Sequence, residues 1–133
     1  MKCKVIPIAI LVLMVGAFSG CAKTADPKRP LEKIQSEVVS MPMATLESNA
    51  QLYAVAIRVE KAKITNIQEQ MRKMPVQQLF SDKKMTREIA AIGQRAEALF
   101  DRYQIYVKAF QEKGGDLSKV QIETGQTPTG ESK

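Results

Sequence analysis

The chain has 133 residues, with 20 lysines and arginines against 14 aspartates and glutamates, two cysteines, and neither histidine nor tryptophan. The lack of histidine, with only Cys3 and Cys21 as thiols, removes the common general base, the common metal ligands and the usual nucleophile pairs together; no Gly-rich phosphate loop or serine elbow appears either, so no catalytic residue, metal or cofactor is expected. The net charge of +6 is interspersed along the chain rather than clustered among aromatics, which argues against nucleic acid and for a solvated surface with weak attraction to anionic headgroups or cell-wall polymers.

Met1-Lys2-Cys3-Lys4 opens the chain with positive charge, an apolar run follows from Val5 to Phe18, and Ser19-Gly20-Cys21 closes it. The run is too short to span a bilayer and ends in small residues, so it predicts an export signal over 1–20. The ending Phe18-Ser19-Gly20-Cys21 resembles the lipobox of bacterial lipoproteins, with phenylalanine where that motif usually has leucine. The resemblance covers this stretch alone. It implies that the chain is cut before Cys21 and that Cys21 is acylated on its sulfur and its new amino group, which makes a lipid bilayer the first partner. Each buried methylene contributes about 0.8 kcal/mol, and two or three acyl chains anchor effectively permanently. Loss of Cys3 with the signal leaves no disulfide, so packing alone must hold the mature domain. In lipoprotein sorting an aspartate after the acylated cysteine marks inner-membrane retention; Ala22 followed by Lys23 implies the outer membrane, facing the periplasm.

From 21 to 29 the residues are small, charged or proline, and read as a tether able to reach about 25 Å. Pro30 suits the first position of a helix, and Leu31, Ile34, Val38 and Met41 share one face, so a short helix is predicted over 30–41, stopped by Pro42. From Leu46 the positions Ala50, Tyr53, Ile57, Glu60, Ile64, Ile67, Met71 and Met74 recur at alternating four and three, a heptad seam that Pro75 ends or kinks. After a connection from Val76 to Ser81 the period returns in Met85, Ile89, Ile92, Ala96, Leu99, Tyr103, Tyr106 and Phe110. Ser81 or Asp82 can cap this second long helix, and Gly114-Gly115 can terminate it.

Two helices of about 30 residues, or 45 Å, joined by a short connection predict an antiparallel hairpin. The fold class is therefore all-α: a coiled-coil-like two-helix hairpin with a short third helix at its N-terminal side, together occupying 30–115. Folding near Leu79 sets Met74 against Met85, Ile67 against Ile92, Ile64 against Ala96, Ile57 against Tyr103, Tyr53 against Tyr106 and Ala50 against Phe110. A second apolar stripe, Leu52, Val55, Val59 and Ala62 with Phe100 and Val107, needs a cover. The short helix is the nearby candidate, and self-association as a homo-oligomer the alternative. Asp116 to Glu123 allows a short extended piece through Val120 and Ile122, but the polar composition from Thr124 onward cannot order itself, and 116–133 is expected as a flexible, disordered tail.

Acids such as Glu88 and Glu97 fall on the wet face of their helix, which leaves enzymatic work without a candidate pair. Glu60 interrupts the seam within reach of Arg95 or Arg102. It either fixes register there or sits at the edge because the helix rotates so that Val59 takes the inward place, the reading adopted here. The tip gathers Met71, Met74, Val76, Leu79, Phe80 and Met85, more apolar material than a two-helix end hides; it is a satellite core under the loop or a partner-binding surface of Met71, Met74, Leu79, Phe80 and Met85.

The function expected is that of a non-enzymatic interaction or assembly factor for an envelope protein complex. Its company by size and anchoring would be the pilotin-like chaperones of secretion systems and the exclusion proteins of conjugation systems. The alternative is a structural tether between the outer membrane and peptidoglycan. Lys133 at the end of an acylated, heptad-bearing chain resembles the major murein lipoprotein, but Thr129-Gly130-Glu131-Ser132 lacks the aromatic and the arginine that precede the lysine in that family.

Overall fold

The structure is a computed structural model and describes residues 23–122. Four helices follow in order among these residues: α1 (Leu31–Val38), α2 (Met43–Arg72), α3 (Val76–Ser81) and α4 (Lys83–Glu112), with a 3-10 turn at Leu117–Lys119 and no strand. α2 and α4 are 30 residues each and pack against each other along an antiparallel seam. The all-α hairpin read from the heptads is therefore the fold.

Prolines set three of the four helix starts. Pro30, Pro42 and Pro75 each stand just outside a helix with extended ψ. Each carbonyl accepts the first helical bond: Pro30 from the Ile34 amide, Pro42 from Thr45 and Leu46, Pro75 from Gln78 and Leu79. Proline has no amide to lose there and its ring presets φ. Pro30 thus precedes its helix rather than opening it, and Val76 to Ser81, expected as a plain connection, is a six-residue helix. The fourth start is capped by Asp82, whose Oδ1 accepts from the amides of Lys84 at 3.0 Å and Met85 at 3.4 Å. α4 ends in a Schellman turn: Gly115 N–H donates to Phe110 O and Gly114 N–H to Gln111 O, both at 2.9 Å, with Gly114 at φ +84°.

The register is the expected one. Tyr53 and Tyr106 lie ring to ring with centroids 5.5 Å apart, and around them Ile34, Leu46, Ala50, Ile57, Leu99, Tyr103 and Phe110 form one buried cluster. Each aliphatic or aromatic side chain taken out of water there contributes about 1.5–3 kcal/mol. Toward the tip only Ile67 and Ile92 are buried, outside that cluster.

Three expectations about what surrounds the hairpin need correction. First, α1 does not cover the second stripe. It lies against α4, with Val38 near Ile105 and Ala109, and leaves Val55, Val59 and Phe100 between 40% and 48% exposed. Second, the end of the tether is docked: Tyr53 Oη donates to Asp26 O at 3.2 Å, and Arg102 Nε to Arg29 O at 2.8 Å. Third, the tail does not begin at 116. Asp116 caps the 3-10 turn through Ser118 N–H, Val120 is 1% exposed within the core, and Tyr103 Oη donates to Val120 O. Buried hydroxyls in the seam need acceptors, and these two flanking segments offer backbone carbonyls. The rest of the predicted tail, 123–133, lies outside the described residues, as do the predicted signal and Cys21.

Candidate interaction surfaces at the two ends of the hairpin

At the tip, α2 hands over to α4 through α3, which buries no residue. Phe80 is 85% exposed and Val76 66%; Met71, Met74, Leu79 and Met85 are half-buried. The five residues singled out from the sequence are thus gathered at one end, with Phe80 outermost and the methionines beneath. Pro75 explains the exposure: it forces a new helix start after Lys73, so α3 is too short to fold its apolar side back onto the seam. Below the tip an open groove of about 430 Å³ runs between Ile67 and Ile92, edged by Lys63, Asn66, Gln70, Glu88 and Arg95.

Glu60 is the one seam position with charge, and it faces inward. Its side chain is 13% exposed, Oε1 accepts from Lys63 Nζ at 2.7 Å, and Oε2 lies 3.5 Å from Arg95 Nε. Oε2 is buried without a hydrogen bond, and Val59 is 48% exposed. The expected inward turn of Val59 is therefore corrected: the two flanking cations hold the carboxylate at the seam and leave the valine outside. Arg102, the other candidate partner, is buried elsewhere and donates to Ala98 O and Arg29 O.

At the opposite end, which we call the base, polar groups knit the chain's two flanking segments to the seam. Arg29 Nη1 donates to Tyr106 Oη at 3.0 Å, and its other terminal nitrogen pairs with Glu37 of α1. Burial pushes the Tyr106 hydroxyl above the ordinary tyrosine value, with the Arg29 charge opposing the shift. Tyr103 is likewise pushed up by burial, against a backbone hydrogen bond from Ile122. Lys113 Nζ donates to Val39 O at 3.1 Å and Met41 O at 2.6 Å, satisfying carbonyls that the end of α1 leaves open. These groups are saturated by one another, a structural network rather than a reactive one.

No protein-family model, curated protein or solved structure matches this chain. The site must be read from its own geometry. Among the described residues no three of His, Cys, Asp or Glu come together as metal ligands, and no helix is long and apolar enough to cross a membrane. The seam-facing tip residues were legible from the heptads, and the base network was not. Its signal was three tyrosines at buried seam positions, Tyr53, Tyr103 and Tyr106, each with a hydroxyl in need of a partner.

Proposed function

We propose that this chain is a lipoprotein, held by acylated Cys21 in the outer membrane and facing the periplasm, that acts without catalysis as a docking or assembly factor for a larger envelope complex of the secretion or conjugation type. The anchor is supported by the pattern from Met1 to Cys21. The docking role is carried by one observation, the uncovered tip with Phe80 85% and Val76 66% exposed over a bed of three methionines. Flexible, polarizable side chains around a protruding aromatic make a surface that adapts to a protein partner. The two 30-residue helices of the hairpin set that surface about 45 Å from the base.

The test pairs Leu79→Asp with Phe80→Ser in the full chain, produced in its own bacterium. Circular dichroism and membrane attachment stay unchanged, while activity and the main in-cell crosslinked neighbour are lost. If the double variant is silent and removal of 124–133 destroys function, the tether to peptidoglycan replaces docking. If it fails to fold, the tip is a satellite core. Fatty-acid labelling that disappears in Cys21→Ser and persists in Cys3→Ser checks the anchor separately.

A further inference from the structure

Counted round α2, Leu52, Val55, Val59 and Ala62 fall on the side opposite the seam residues Ala50, Tyr53 and Ile57. Val55 is 47% exposed and Val59 48%; Leu52 is half-buried and Ala62 exposed. α1 lies on α4 and does not reach them. Toward the tip the next outward positions are Asn66 and Glu69, and toward the base Ser48, so the apolar stripe is confined to the middle of α2.

The base-side end of the stripe is where the described chain begins and ends. Lys23 lines a shallow patch with Leu52 and Val55 on one flank of the stripe, and Lys119 lines another with Gln51 and Val55 on the other flank. Lys23 is not at the end of a free tether, because Asp26 and Arg29 are fastened to Tyr53, Arg102 and Tyr106. Only Ala22 lies between Lys23 and Cys21, two steps of chain that span at most about 7 Å. If Cys21 carries the lipid, the headgroups must come within that reach of Lys23, and the apolar surface that shares a patch with Lys23 is the Leu52–Val55 end of this stripe.

We propose that the outward stripe of α2, formed by Leu52, Val55, Val59 and Ala62, lies on the bilayer that holds Cys21, with Lys23 and Lys119 meeting anionic headgroups at its two flanks. The inference rests on the acylation of Cys21 proposed above. It accounts for the exposure of Val55 and Val59, for the position of Lys23 beside Leu52 and Val55, and for the fastening of the segment between lipid and bundle. It also orients the hairpin: α2 runs along the membrane surface, and the tip reaches sideways over it. Apolar side chains entering the interface while cations stay at its edge are the ordinary arrangement of a surface-lying helix.

The test uses the full acylated protein carrying Val59→Cys or, on the outward side of α4, Asp101→Cys, each bearing a bimane label, in vesicles of phosphatidylethanolamine and phosphatidylglycerol with nitroxide-bearing lipid. Mass spectrometry of the N-terminal lipopeptide reports acylation independently, and Val55→Cys repeats the measurement in case Val59→Cys disturbs the fold. Lipid quenching several-fold stronger at 55 and 59 than at 101 is expected. Equal quenching at both faces in a protein whose lipopeptide is acylated overturns the stripe and leaves the anchor standing. A mature chain with unmodified Cys21 overturns both. Energy transfer between copies labelled at 59, with no lipid quenching there, overturns the proposal in favour of a second copy on the same face.

Discussion

The base and tip halves of the hairpin share one heptad pattern but differ in what surrounds them. At the base, Ala50, Tyr53 and Ile57 meet Tyr103, Tyr106 and Phe110 inside a wrapping of α1, the Asp26–Arg29 segment and the 117–122 segment. At the tip the same kind of seam buries only Ile67 and Ile92, and no residue of α3 is buried. A heptad stripe specifies that two helices pair; how firmly they pair depends on third partners that the stripe does not encode. Stability is therefore concentrated at the base, and the tip is the part of the molecule that opens most easily.

The largest test of this contrast puts the same charge into both halves. Ile57→Asp, at 1% exposure, is expected to cost about 4 kcal/mol, comparable with the whole stability of a small domain. Ile67→Asp, at 9% exposure beside the open groove, is expected to cost about 2 kcal/mol, since its carboxylate can turn to water. Thermal melting by circular dichroism of the chain from Ala22 onward separates them, and equal losses would erase the distinction.

Gly115→Ala probes how tightly the base is closed. A Cβ there would lie 2.5 Å from three ring atoms of Phe110, a ring that is 1% exposed and has no room to yield. The expected cost is about 1–3 kcal/mol, read as a lower melting temperature. A silent substitution would mean that the base is looser than its contacts imply.

Arg102→Met keeps much of the apolar stem but removes the donor to Arg29 O. The expected loss is about 1–2 kcal/mol, with faster amide exchange confined to 26–31 and the start of α1. Exchange at 76–85 should not change. If both regions respond alike, the halves are one cooperative unit.

The smallest effect is the response to alkali. Burial raises the Tyr103 and Tyr106 hydroxyls above 10.0, so the folded state holds these protons more tightly than the unfolded chain. Their contribution is complete below the unfolded value and is lost as pH rises through it and then through the raised folded values. Melting temperature should fall as pH rises through 10.0 and beyond, and less in Tyr103→Phe with Tyr106→Phe. Because the tip contains no tyrosine, a fall of equal size in the double variant would contradict this origin.

The hairpin, its register to the Tyr53–Tyr106 pair, the Asp82 cap and the Gly114 stop were all legible, because side-chain period and turn chemistry act locally. The docked flanking segments were not. Their attachment uses backbone carbonyls of Asp26, Arg29 and Val120, and any residue supplies a carbonyl, so no pattern announces it. Only Val120 and Ile122 hinted at burial beyond Gly115. Glu60 was misread because a polar residue in a seam suggests a rolled helix, whereas Lys63 and Arg95 supply enough positive charge to keep it inside. At the tip the residues were legible, and their exposure followed from counting apolar side chains against available cover.

The Asp26–Arg29 fastening also has a mechanical side. A pull on the chain from the direction of Cys21 falls first on the bond from Tyr53 Oη to Asp26 O, next on the bonds that hold Arg29 to Tyr106, Glu37 and Arg102, and only then on α1. These bonds load one after another, as a strip peels, rather than all at once. Each freed residue lengthens the link by about 3.4 Å, so tension is relieved by paying out a short length of chain while the paired long helices carry none of it.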